Sequence, residues 1–367
     1  MCFAPPGQYL TSTIFVVPQG PQPTSTMCVV PSDHNSPVLC ALIHQVHKAA
    51  STTVFNIFIR FAMSRQLNVM FPRQGNILSQ GKPGLRELAP HPKPPPFHFD
   101  ILCNHVIFNY KTISPYFPPD TKYVAIVRDP WTQVQSAYYY YTTVYPTAYI
   151  KKAFNLEEFI HKQSQYEPRD PFKSFTNNRM SIDLGLPPSH VTNSSYVIPF
   201  LRHLDSVFHL VLIAERFDES MVLMKRLFGW TMKDIVYRKL NTEKNPQKKT
   251  EGPVPDLEKQ FKRFHHFDVA VYEHYTKIFN QKIENEGPDF ADELETFVCI
   301  RKQICEFCDG KLSGSELVIF RSKWNEQVVV RRAECAVLSV GELTLNTAAR
   351  KKQIARLLHT SNAHLVS

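Results

Sequence analysis

The stretch TKYVAIVRDPWTQVQSAYYYY, residues 121–141, decides how the rest of the chain is read. Tyr123-Val-Ala-Ile-Val127 is apolar without alternation, the pattern of a strand buried on both faces. Arg128-Asp-Pro130 ends it, with Asp129 placed to cap a helix and Pro130 suited to its first position; that helix is predicted to run to about Tyr141. Upstream, Val38-Leu-Cys-Ala-Leu-Ile43 repeats the pattern of a buried strand. The polar turn His44-Gln-Val-His-Lys48 leads into a helix over Ala49 to Met63. There Val54, Ile57, Phe58 and Phe61 recur at helical spacing, and Ser51 or Thr52 can cap the start.

Further strands are predicted at Leu67 to Phe71, Phe99 to Cys103 and Phe208 to Ala214. Helices are predicted at Leu156 to Ser164, at Met221 to Phe228 capped by Asp218, through Asp256 to Phe279, and at Asp289 to Ile304. Residues 72–98, with Gly75, Gly81, Gly84 and the proline run from Pro90, read as a loop over the surface. Beyond Gly310, a strand-like Leu317 to Arg321 precedes a basic helix around Ala348 to Leu358. Apolar strands alternating with helices predict an α/β fold, with a central, mainly parallel sheet covered by helices on both faces. Ligands of such sheets bind beyond the carboxyl ends of the strands, which here carry His47, Lys48, His105 and Arg128.

Composition narrows the function. The 367 residues carry 42 Lys and Arg against 33 Asp and Glu, a formal net charge of +9. That balance favours anionic partners such as phosphate or sulfate ligands, acidic glycans or lipid headgroups. The cations are spread along the chain, with only short runs such as Lys248-Lys249 and Arg350-Lys351-Lys352, so there is no basic arm of the nucleic-acid type. Residues 1–37, rich in Pro, Thr, Ser and Gln, read as a loose leader. They lack a basic start and an unbroken apolar run, so they make a poor signal peptide, and no run of 18 apolar residues occurs in the chain. Cys305-Glu-Phe-Cys308 with Cys299 looks like half a zinc site, but no second ligand pair follows at suitable spacing. In an oxidising compartment a disulfide among these three is the expectation. Asn193-Ser-Ser195 is a glycosylation sequon.

Two constellations carry chemistry. In the first, the turn ending at Lys48 opens onto a helix start through Ala49, Ala50, Ser51, Thr52 and Thr53. Free amides, the positive end of the helix dipole, a lysine charge and three hydroxyls together make an oxyanion cradle. It has no glycine-rich triphosphate loop, which argues against a P-loop kinase. In the second, Arg128 leaves the end of a buried strand and Ser136 follows two helical turns later, a guanidinium and a hydroxyl suited to a terminal phosphate.

With HKAASTTVFNIFIRF, FDILCNHVIF, NNRMSIDLGL and FHLVLIAERFDESMVLMKRLFGWTMKDIVYRKLN, these segments resemble the galactose 3-O-sulfotransferase family over roughly residues 38–308. The resemblance implies a P-loop-like three-layer fold in a sulfotransferase domain at 38–308, followed by a divergent basic tail at 309–367. It implies transfer of a sulfuryl group from 3′-phosphoadenylyl sulfate to the 3-hydroxyl of a terminal β-galactose on a glycolipid or glycoprotein glycan, with no metal required. Lys48, Ala49, Ala50, Ser51, Thr52 and Thr53 would hold the 5′-phosphosulfate, and Arg128 with Ser136 the 3′-phosphate. A Golgi membrane location, on the lumenal face, comes with the family; the anchor expected ahead of residue 38 is missing from the leader. Val46, Ala49 and Ala50 around the His-Lys pair, and Asn104 and Ile107 around His105, depart from the family pattern.

The acceptor hydroxyl needs a general base, and a neutral imidazole suits that role near pH 7. His105, just past the strand at Phe99 to Cys103, is the first candidate. His47 is the second, with the charge of Lys48 expected to keep it neutral; His44 is weaker. A non-catalytic polyanion-binding protein that keeps the cradle without the acceptor site is the competing class.

Overall fold

The computed structural model describes residues 41–44, 46–79, 85, 88–89, 98–238 and 255–365. Contacts divide the chain into Met1–Val38, which lies outside the described residues, and Leu39–Ser367. The leader read at 1–37 and the strand residues Val38 to Cys40 therefore fall outside the described part.

The sheet is parallel, in the order β2-β1-β3-β4. Its strands are β1 (Ala41–His44), β2 (Ile101–Leu102), β3 (Lys122–Val127) and β4 (Leu210–Ile213). β3 sits between β1 and β4, with Ile43 opposite Val124 and Val127 opposite Ile213. Val124, Ala125, Ile126 and Val127 are each 0% exposed, which is why this strand shows no alternation in sequence.

The predicted Leu67–Phe71 strand reduces to one bridge, Val69 to Ile101. The Gln353 side chain accepts from the Val69 amide (2.8 Å) and donates to its carbonyl (3.0 Å), so a side-chain amide closes this edge where another strand would otherwise pair.

Helix α1 (Ser51–Arg65) follows β1, and α2 (Pro130–Tyr139) follows β3. Asp129 caps α2 by accepting from the Thr132 amide, as its sequence predicts. The start of α1 differs from prediction. Ala50, in the left-handed region, occupies the cap position and no side chain caps the helix, so neither Ser51 nor Thr52 serves. Beyond Tyr139 the chain makes a π-helical turn over Tyr140–Val144. Tyr138 and Tyr141 are buried there, and Tyr139 and Tyr140 half-buried, so the tyrosine run is divided between core and surface.

Next come α3 (Arg179–Asp183), α4 (Val197–Val207), α5 (Phe217–Phe228), α6 (Pro255–Phe264), α7 (His266–Asn285) and α8 (Phe290–Cys308). Asp218 lies within α5 rather than capping it, and accepts from Tyr237 and Arg301. The helix predicted through Asp256–Phe279 breaks at His265, a fully buried residue whose Nε2 pairs with Gln163 Oε1 at 2.9 Å. Leu156–Ser164 likewise divides, into Leu156–His161 and Gln163–Tyr166.

After α8, β5 (Glu316–Ile319) pairs antiparallel with β6 (Val328–Arg331), and α9 (Arg332–Leu338) and α10 (Glu342–Leu365) complete the chain. Ile319, Val330, Leu345 and Ala349 join the main core with Phe55, Phe58, Phe228 and Trp230. Burying a side chain such as Phe58 contributes about 1.5–3 kcal/mol. Among the described residues one disulfide joins Cys308 to Cys335, from α8 to α9, rather than linking two of Cys299, Cys305 and Cys308. Cys299 is disulfide-bonded as well, while Cys103 and Cys305 are free thiols. Successive turns of α8 hold Cys305 and Cys308 on one helix, whereas the packing of α9 on α8 brings Cys335 to within a Cα distance of 5.2 Å.

Candidate active site

The turn after β1 is the structural centre of the site. Lys48 (φ 64°) and Ala50 (φ 58°) both lie in the left-handed region, where a non-glycine residue costs on the order of 1–3 kcal/mol. The surroundings hold them there. Gln133 Nε2 on α2 donates to the His47 carbonyl (3.0 Å), Arg128 Nη1 donates to the Lys48 carbonyl (3.0 Å), and the His47 amide donates to Asp183 Oδ2 (2.9 Å). Val46 and Ala49, both 0% exposed, anchor the turn from below. The first turn of α1 then begins without a side-chain cap, and no acceptor among the described residues takes the Ala50 or Ser51 amide. Such a concavity of amides at a helix start suits an anion.

Of the residues predicted to bind a donor, Lys48 to Thr53 form this turn and helix start, and Arg128 reaches it through the Lys48 carbonyl. Lys48 Nζ stands 4.0 Å from the centroid of the Tyr140 ring. Arg128, besides its bond to Lys48, donates through Nε to Thr132 Oγ1 (3.1 Å) and lies 3.9 Å from Glu215. Ser136, half-buried on α2, sits one turn before Tyr140. Ser51 and Thr53 are buried, and Thr52 Oγ1 donates to Glu342 Oε2 at 3.4 Å.

The two histidine candidates form one stack. His47 and His105 have ring centroids 4.7 Å apart at an interplanar angle of 30°. His47 Nδ1 is 2.7 Å from Asp183 Oδ2, so the carboxylate accepts a hydrogen bond from Nδ1–H of the neutral ring. Nε2 has no hydrogen-bond partner among the described residues, and the side chain as a whole is largely buried. His105 presents the reverse arrangement. Its Nε2 lies 3.5 Å from Glu342 Oε1, and its Nδ1 is enclosed without a partner among the described residues.

Burial is the main influence on His47 and pushes its pKa down to about 4, while Asp183 opposes that and Arg179 adds to it. The expected neutrality is found, but desolvation causes it rather than the charge of Lys48.

Asp183 is itself held tightly. Its Oδ1 receives Arg179 Nη2 at 2.5 Å, and this pair is 1% and 0% exposed. Arg179 Nη1 also donates to the Ser174 carbonyl at 2.9 Å. A buried pair of this kind is costly to break from one side, by about 3–5 kcal/mol. Asp268 fixes the same helix by accepting from the Ser181 amide (2.8 Å) and hydroxyl (2.6 Å), and burial raises its own pKa to about 6. Gly185 closes the segment at φ 96°, and a Cβ there would come within 2.6 Å of the Phe108 carbonyl oxygen. Only glycine allows that approach, which lets the Phe108 amide reach the Asp183 carbonyl at 2.9 Å.

Arg179, Asp183 and Glu342 were not singled out from sequence. The spacing of Arg179 and Asp183, one helical turn, was the available signal for the first two. Nothing local marks Glu342. No group of three or more His, Cys, Asp or Glu among the described residues is arranged to hold a metal.

A family model described as Galactose-3-O-sulfotransferase matches residues 12–318. The chain is 32% identical over 285 residues to galactose-3-O-sulfotransferase 2 of Mus musculus, which covers 74% of this chain and 70% of that protein. It is 28% identical over 326 residues to galactosylceramide sulfotransferase of Mus musculus, 85% of this chain and 75% of the relative. Against the Homo sapiens galactosylceramide sulfotransferase it is 30% identical over 249 residues, 66% of this chain and 57% of the relative.

Proposed function

The chain belongs to the galactose-3-O-sulfotransferase family, and from that premise we propose that it moves a sulfuryl group from 3′-phosphoadenylyl sulfate to the 3-hydroxyl of a terminal β-galactose on a glycolipid or glycoprotein glycan. The carrying observation is that a buried carboxylate, Asp183, holds Nδ1 of His47 in the same turn that leads into the uncapped start of α1.

The residues present suit such a donor: the uncapped Ala50 and Ser51 amides and the Lys48 cation would hold the 5′-phosphosulfate, and Arg128 with Ser136 would hold the 3′-phosphate. The donor supplies a sulfuryl group on a phosphate leaving group. Lys48 and the helix start offset the charge that builds on that phosphate oxygen. His47 Nε2 takes the proton of the attacking 3-hydroxyl as the new oxygen–sulfur bond forms, and Asp183 keeps the ring in the tautomer this needs. His105, first choice from the sequence, has an enclosed Nδ1 and a carboxylate beside Nε2, so the base role passes to His47.

The strand order and the helix after each of β1 and β3 support a P-loop-like three-layer arrangement, with donor-site residues drawn from 38–308. A Golgi-lumenal setting is supported by the Cys308–Cys335 disulfide and by the exposed Asn193 of the sequon. No helix among the described residues is long and apolar enough to cross a membrane.

The test is sulfate transfer from labelled 3′-phosphoadenylyl sulfate to a panel of β-galactosides. We expect transfer by the parent, a loss of about 10²–10⁴ in kcat for His47→Ala and about 10²–10³ for Lys48→Ala. A parent that binds 3′-phosphoadenosine 5′-phosphate yet transfers to no galactoside would sink the reading.

A further inference from the structure

Glu342 is the first residue of α10 and lies beyond the residues matched by the family model, which end at 318. Its carboxylate nevertheless reaches the histidine stack. Oε1 accepts from Asn76 Nδ2 at 2.6 Å and stands 3.5 Å from His105 Nε2, while Oε2 accepts from Thr52 Oγ1 at 3.4 Å. The side chain is only 10% exposed. A carboxylate withdrawn from water to that degree is tolerated only because polar partners surround it.

The helix that carries it is firmly seated. Besides the paired bonds of Gln353 to Val69, Asn346 Oδ1 accepts from Asn104 Nδ2 (2.9 Å) and Asn346 Nδ2 donates to the Gly75 carbonyl (2.6 Å). Arg350 Nη1 donates to the carbonyls of Pro72 (3.1 Å) and Gly75 (2.9 Å). Those contacts dock α10 without help from Glu342, so docking alone does not require a carboxylate at this position.

Resting on the proposed sulfuryl transfer, we propose that Glu342 is a positioning residue of the reaction. It stands 3.5 Å from His105 Nε2 and accepts from Thr52 Oγ1, and so steadies the ring against which His47 stacks and the hydroxyl at the mouth of the cradle. A negative charge at this place opposes an anionic donor, so its contribution lies in the transfer step and not in donor affinity.

Glu342→Gln in the full chain is therefore expected to lower kcat by about 10- to 100-fold without raising the KM for donor. Binding of 3′-phosphoadenosine 5′-phosphate, followed calorimetrically, is expected to be no weaker than in the parent. Glu342→Asp keeps the charge at the helix start but withdraws the carboxylate by one methylene, and is expected not to restore kcat. In a His105→Ala background the Gln substitution is expected to add little, because the two act as one unit.

Full rescue by Asp would reduce Glu342 to a helix-dipole contact and overturn the inference. So would a faster Gln variant with tighter donor-product binding, which would make the carboxylate a competitor of the donor. A parent that transfers sulfate, with the Gln variant equal to it in kcat, overturns this inference alone. A parent that transfers to no galactoside overturns the proposed activity and this inference with it.

Discussion

The proposed donor cradle and the histidine stack touch each other but are built by different means. The cradle comes from strand–turn–helix units: β1 runs into Lys48 and α1, and β3 runs into Arg128 and α2. The stack draws His47, His105, Asp183 and Glu342 from segments far apart in the chain; the His47–Asp183 bond spans 136 residues, and Glu342 is tied to Thr52 across 290. Local geometry places an anion hole wherever a strand end meets an uncapped helix start. A base with a tuned ring nitrogen instead requires burial, a carboxylate and an orienting neighbour to meet at one point, and only packing supplies that.

The sharpest way to break the comparison is Asp183→Asn. An amide has one acceptor oxygen where the carboxylate offers two, so it can serve His47 Nδ1 or Arg179 Nη2 but not both, and the contact that sets the tautomer of His47 is weakened. Transfer should fall by on the order of 10²-fold or more, while affinity for 3′-phosphoadenosine 5′-phosphate, a property of the cradle, stays near that of the parent. Thermal melting of the same variant checks that Arg179 still holds its place. An equal loss of donor-product affinity would show that cradle and stack are one unit.

The pH dependence sharpens the same point. His47 is held down to about 4 by burial, so its unfolded state binds more protons at moderately acid pH. Its contribution to stability is therefore fully present above the unfolded value near 6.5 and is lost as pH falls through about 4. The acid limb of kcat/KM should lie near 4, and an acid limb at the ordinary histidine value would place the base elsewhere.

A smaller effect is expected on the cradle side. Arg128→Ala removes the guanidinium from the Lys48 carbonyl and from the proposed 3′-phosphate site. The KM for donor should rise by about tenfold or somewhat more, the worth of a charge-assisted hydrogen bond, with a lesser change in kcat. A fall in kcat with KM unchanged would move Arg128 from binding to the transfer step.

The sequence exposed the local half of the molecule well. The β3 stretch at Lys122–Val127, the Asp129 cap and the Lys48 turn were legible because each depends on neighbours within a few residues. Other readings met competing tertiary contacts. The Leu67–Phe71 strand gave way to the Gln353 side chain, and the bond expected within Cys299–Cys308 gave way to Cys335. His105 preceded His47 in the sequence reading because a position just past a strand is visible there, whereas an enclosed ring nitrogen is not.

By itself, then, the sequence determined the strands β1, β3 and β4, the helices that follow β1 and β3, and the excess of positive charge. All of these follow from side-chain periodicity, capping and charge over short distances. The tertiary structure alone decided which histidine has its Nδ1 held by a carboxylate, which carboxylate that is, and that the last helix returns to the histidine pair through Glu342. Burial and long-range pairing depend on how the whole chain packs, and no stretch of a few residues carries that information.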